Sequence, residues 1–295
     1  MKKFLSLMAA FFFAATLALN ADNNTEEETK KWNLDGVTGV NFSQTSLTNW
    51  SSGGENSLAG NAYLNGALIY NSGKWAWDNN LALDYGLART TSTGIRKSTD
   101  KIDFASKLGY EAAKKLYYTA LFDFKTQFTD GYNYEANQKH RISDFMAPAY
   151  STISVGLDYK PTDKFSLYFS PVAGKMTWVN DDDFSAQGMF GVEQGKKFKG
   201  EFGAYLKTVY KAQPFENIDF VSKADFFTAY NKSFGNVDID WDFLLSMKIN
   251  KFLSATFNTT LRYDDDVHYI DEEGVSKGPR VQFRQILGIG LAYKF

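Results

Sequence analysis

Cysteine is absent from the 295 residues, and histidine occurs only twice. Without cysteine there is no disulfide framework, no thiolate metal site and no lipid-bearing thiol behind a leader. His140 and His268 alone leave little room for imidazole chemistry. Beyond residue 19 no run of about 20 apolar residues occurs, which excludes a membrane-spanning helix. Excess charge is missing too: 32 basic residues stand against 34 acidic ones, a net −2. So even a balance gives no electrostatic footprint for nucleic acid, and no nucleic-acid partner is expected.

What is present begins with a leader. Met1-Lys2-Lys3 is followed by an apolar run, Phe4 to Leu19, by small residues at Ala18 and Ala21, and by the polar DNNTEEETKK. This order is that of a secretory signal peptide, expected over residues 1–21, with a short periplasmic tail over 22–31. Residues 1–21 carry Lys2 and Lys3 and no acid, so their removal leaves 30 basic against 34 acidic residues, a net −4.

Aromatic residues make up 17% of the chain, and they recur at a period of two. In Val281–Phe295 the odd positions Phe283, Leu287, Ile289, Leu291, Tyr293 and Phe295 are apolar or aromatic. The even ones, among them Gln282, Arg284, Gly288 and Gly290, are small or polar. Such alternation marks a strand between two different environments. Trp75, Trp77, Leu81, Leu83, Tyr85 and Leu87 repeat it against Lys74, Asp78, Asn80 and Asp84. About twelve strands follow this pattern, each long enough for the ~9–11 residues that cross a bilayer. Connections near 71–73, 112–115, 160–163, 211–217 and 250–251 are short. Those at 44–56, 89–100, 129–149, 179–195 and 264–280 are long, and only 231–236 is short on their side.

Short turns at one end and long loops at the other are the asymmetry of outer-membrane barrels. The fold expected over 32–295 is therefore an all-β, transmembrane, antiparallel up-and-down β-barrel in the outer membrane. A secreted soluble sandwich alternates as well, and only the loop asymmetry, leader and aromatic load separate the two. Gly290, Tyr293 and Phe295 resemble the insertion signal of such barrels, although Gly288 stands where a polar residue is expected. Outer-membrane lipid and the barrel-insertion machinery are the partners this implies.

The polar face would line the lumen, where acids and bases nearly balance. Such a wall either cross-links itself or lines a narrow pore of weak ion preference. Asp238, Asp240 and Asp242 share one strand, with Lys223 and Arg262 expected on its neighbours and Arg284 on the last strand. An internal ladder of ion pairs is the simpler reading, a selectivity element the sharper one. Two acidic loops, Asp181-Asp182-Asp183 and Asp264-Asp265-Asp266 with His268, Asp271, Glu272 and Glu273, lack the spacing of a calcium site. No metal and no cofactor is expected. His140 lies near Ser143 and Asp144, but no nucleophile motif frames either histidine, so no catalytic residue is assigned and no enzyme is expected. Trp50, Tyr132, Tyr134 and Trp178 sit in or beside outer loops and could stack on surface glycans. Function is thus expected to be a narrow channel for small solutes, with a structural or surface-interaction barrel as the alternative and a barrel hydrolase third.

One stretch has a familiar order as well as composition. NFSQTSLTNWSSGGENSLAGNAYL, followed by YNSGKWAWDNNLALDYG, resembles domain of unknown function 3078, a family of Bacteroidota proteins. The resemblance covers nearly all of the mature chain. It implies an outer-membrane barrel without an assigned activity, and no catalytic residue is carried over from it.

Overall fold

An alternating sheet must cover one of its faces, and here it does so by curling until its first and last strands meet. The structure, a computed structural model, describes residues 31–47, 55–133, 140–230, 234–270 and 276–295. The expected leader and nearly all of the tail, with Trp50, Tyr134, Asp271, Glu272 and Glu273, lie outside them. Chain order gives β1 (Trp32–Thr45), β2 (Ser57–Ser72), β3 (Trp75–Thr90), β4 (Gly94–Ala113), β5 (Leu116–Thr126), β6 (Gly131–Asn133), β7 (His140–Ser143) and β8 (Ala149–Thr162). It continues with β9 (Phe165–Trp178), β10 (Phe198–Phe215), β11 (Ile218–Ala229), β12 (Asp238–Lys248), β13 (Leu253–Tyr263), β14 (His268–Ile270), β15 (Ser276–Pro279) and β16 (Gln282–Lys294). Twelve of these close one antiparallel barrel in the order β1-β16-β13-β12-β11-β10-β9-β8-β5-β4-β3-β2, while β6–β7 and β14–β15 are two small hairpins. At the seam β1 meets β16 from Val37↔Lys294 to Phe42↔Ile289, and Gly36 and Phe295 exchange backbone hydrogen bonds of 2.9 Å.

One end of the barrel carries the short turns, such as Gly73-Lys74, where Gly73 takes the positive φ (58°) that a tight hairpin needs. The other carries the longer connections, with one exception. The loop expected over 89–100 is mostly strand: β3 and β4 stay paired to Thr90↔Gly94, with a register shift after Gly86. Above the barrel rim water reaches both faces of a hairpin, so the apolar alternation stops while the ladder continues. The long connection before β10 also holds structure, a helix α1 (Asp182–Gln187) whose first turn is capped by Asp181 and which ends on Gly188 at φ 67°. Around Pro171 the β8–β9 and β9–β10 registers both shift, as a proline without an N–H requires.

Polarity is inverted relative to a water-soluble fold. Leu287, Ile289 and Leu291 on β16 are 69%, 55% and 56% exposed, and Ile153, Val155, Leu157 and Phe169 repeat this on β8 and β9. Inside, Asp158 is 1% exposed and Lys107 7%. On the outer wall three indoles each donate to a serine hydroxyl of an adjacent strand: Trp77 to Ser106 at 2.9 Å, Trp241 to Ser222 at 2.9 Å and Trp178 to Ser151 at 3.2 Å. In water an indole N–H needs no such partner; against an apolar medium it does.

Candidate functional site: the lumen

Strand alternation sends Lys101, Asp103, Lys107, Asp123, Lys125, Lys207, Asp225, Asp240 and Asp242 inward, and the barrel is narrow enough for opposite walls to meet. β4 and β12 are diametrically opposed, with five strands between them on either side. Even so, the Lys101 ammonium lies 2.6 Å from the Asp242 carboxylate and 3.4 Å from Asp103. Lys125 on β5 reaches Asp225 at 2.9 Å and Asp240 at 2.8 Å. Lys207 bridges Asp225 at 2.9 Å and Asp123 at 3.3 Å. Arg284 donates to Thr99 at 2.7 Å, spanning from β16 to the loop end of β4. These pairs form a septum across the lumen. Its rim is filled on one side by inward apolar residues, Leu121, Tyr168, Tyr205 and Phe227, which pack as one cluster.

A cavity lies on each side. That at the turn end, about 630 Å³, reaches from Asp103 and Asp242 down to Lys115, Lys164 and Lys211. The loop-end one, about 260 Å³, is lined by Lys97, Asp100, Tyr132 and Arg284 among others. Above it the loops fold over themselves, with Ala147, Val179, Phe184 and Val192 forming a second small core.

The acidic loops are occupied by cations of the same chain. Asp181 takes Arg141 at 2.7 Å, and Asp182 takes Lys197 at 2.6 Å, whose hydrogen bond and charge hold that carboxyl below its ordinary range. Asp264 is bound by Lys175 at 2.8 Å, and Asp266 by Lys199. Among the described residues no cluster of three or more acids and histidines is arranged to hold a metal ion. His140 and His268 stand on separate hairpins, β7 and β14, and Asp144 beside the first is 3.5 Å from Arg141.

A family model described as "Protein of unknown function (DUF3078)" matches residues 42–132. That is a narrower span than the nearly complete coverage the resemblance implies. No curated protein matches the chain in sequence. Among solved structures, the COG4313 outer membrane channel from Pseudomonas putida F1 aligns at 11% identity and a TM-score of 0.39, over 92% of this chain and 100% of that one. The translocator domain of autotransporter NalP from Neisseria meningitidis aligns at 10% identity and 0.38, over 98% of both. The NanC porin aligns at 8% and 0.38, over 88% of this chain and 100% of that one. Identities and scores this low leave the closed twelve-stranded sheet itself as the ground for the architecture.

Among the described residues, of the three aspartates of β12 only Asp240 meets a cation of an adjacent strand, Arg262, and the closer partners of all three come from non-adjacent strands. Asp238 turns to Lys175 at 2.6 Å, Asp240 to Lys125 and more loosely to Arg262 at 3.6 Å, and Asp242 to Lys101. Lys223 stands opposite Asp242 in the strand register but has no carboxylate within 4.0 Å among the described residues. Lys101, Lys125 and Lys175, the cations that hold this strand, lie 63 to 141 residues away in sequence. Adjacency reasoning reaches neighbouring strands only, and nothing in the sequence marks these partners beyond their inward parity. Gly290, Tyr293 and Phe295 line the seam, Tyr293 stacking on Phe295 with centroids 6.3 Å apart.

Proposed function

We propose that this is an outer-membrane barrel serving as a narrow, gated path for small solutes, closed in the state described here by its ion-pair septum. The observation that carries the reading is the inverted polarity: exposed aliphatic and aromatic side chains ring the outside while lysines and aspartates are buried within. That distribution is stable only where the surroundings are apolar and the interior polar. Lipid is then the medium around β8, β9 and β16, Gly290, Tyr293 and Phe295 serve the insertion machinery, and surface glycans meet the folded loops. The channel reading adds that two polar cavities are separated by one layer of paired charges, which water and a solute can replace.

Planar-bilayer recording tests it. The wild type is expected to conduct rarely and briefly, while Lys101→Ala combined with Asp242→Ala should give resolvable, sustained steps. A steadily open wild type would contradict the septum. A double variant that folds and inserts but stays silent would sink the channel and leave the structural barrel, which the packed loop-end core of Ala147, Val179, Phe184 and Val192 favours.

A further inference from the structure

The turn-end cavity carries more cation than its own acids use. Among the described residues eight lysines line it against six aspartates, and no arginine. Lys107, Lys125, Lys160 and Lys207 are held by carboxylates, and Lys115 donates to the Pro161 carbonyl. Among the described residues, Lys164, Lys211 and Lys223 have no carboxylate within 4.0 Å.

These three form a row across adjacent strands. The Lys211 N–H donates to the Lys164 carbonyl at 2.7 Å, where β9 begins beside β10. Lys211 is opposite Val221 on β11, so Lys223 follows two residues, roughly 7 Å, further in. The row therefore runs from the mouth to the septum. At its inner end Asp103 and Asp242 both attract Lys223 from beyond 4.0 Å, but both are shared with Lys101, at 3.4 and 2.6 Å, and Asp242 also accepts from the Thr260 hydroxyl at 2.7 Å. The septum thus leaves one ammonium facing the cavity.

We infer that this cavity binds a small multivalent oxyanion, one bearing two or more carboxylate or phosphate groups, admitted from the turn end. Cations at successive depths suit a ligand with several negative groups better than a single halide-like charge. The volume lies within the roughly 300–1,000 Å³ of small-molecule sites. Lysines on flexible stems give exchangeable point-charge contacts in place of rigid bidentate ones. Entry is assigned to the turn end because Lys164 and Lys211 stand at that mouth, beside the single acid Asp163. Lys125 and Lys207 belong to both cavity and septum, so a bound anion competes with Asp225 and Asp240 for them and loosens the closure. That last step rests on the gated-path reading; the binding does not.

The test is isothermal titration of the full-length folded barrel in detergent, at low ionic strength, with citrate in one arm and inorganic pyrophosphate in the other. Saturable binding of at least one is expected, and heat in one arm alone assigns the carboxylate or the phosphate source. Lys211→Met with Lys223→Met should weaken it about tenfold or more, and added salt should weaken it too. Lys223→Arg should retain most of it, and Lys196→Met, at an exposed loop-end position, should not change it. Far-ultraviolet circular dichroism confirms that each variant keeps its sheet. Absence of saturable heat with both anions, or undiminished affinity in the folded double variant, overturns the site. Intact binding beside silent bilayers would instead overturn the path and leave the site standing.

Discussion

Replacing Gly290 with valine is expected to stop the barrel from closing. Gly290 faces Asn41 across the seam, and its Cα lies against the backbone of β1. A Cβ built there would fall well inside van der Waals contact with the Val40 carbonyl oxygen and only 2.7 Å from the Asn41 Cα. Those are main-chain atoms held by the ladder, so no rotamer change relieves the clash; only separation of the strands does. The loss should show as a large fall in the protease-resistant, refolded fraction in lipid vesicles. Gly174→Ala is the matched control. There a Cβ would meet nothing nearer than the Ile153 carbonyl oxygen at 4.0 Å, and the change should stay within about 1 kcal/mol of neutral. A Gly290→Val protein that refolds as well as Gly174→Ala would disprove the seam geometry.

The second large effect is expected from Asp158→Ala. The Asp158 carboxylate accepts from Lys107 at 2.7 Å and from the Ser166 hydroxyl at 2.7 Å, and is almost wholly enclosed. Truncating it leaves the Lys107 ammonium buried without its partner, which typically costs about 3–5 kcal/mol. The double substitution Asp158→Leu with Lys107→Met removes both charges and should recover most of that. Denaturant unfolding in vesicles reads both. Lys107 also lines the turn-end cavity, so a loss below about 1 kcal/mol would mean that cavity water already solvates the ammonium, as at a surface pair.

The outward face was legible because only one face of Val281–Phe295 is greasy; parity alone places Leu287, Ile289 and Leu291. Parity with Asp123 and Lys125, and with Lys223 and Asp225, likewise sends Phe122 and Phe226 out and Leu121 and Phe227 in. What parity does not show is that the inward apolar residues of four strands, Leu121, Tyr168, Tyr205 and Phe227, meet as one cluster. Most partners within the ion-pair network were hidden for another reason. Register relates adjacent strands, so Asp242 suggests Lys223; the partner that wins, Lys101, is adjacent only through the curvature of a closed sheet. The long lysine stem then chooses among several carboxylates according to which are already taken. Loop structure such as α1 was hidden because a six-residue helix is too short for its period to show.

The join between β1 and β16 spans six residue pairs, whereas β1 meets β2 over fourteen. A cylinder stitched so unevenly has a built-in tear line. Under mechanical load or partial denaturation it would unzip there, releasing the C-terminal strand as a free edge while the long β1–β2 join held, and that raw edge is where a stray strand from another molecule would find room to pair.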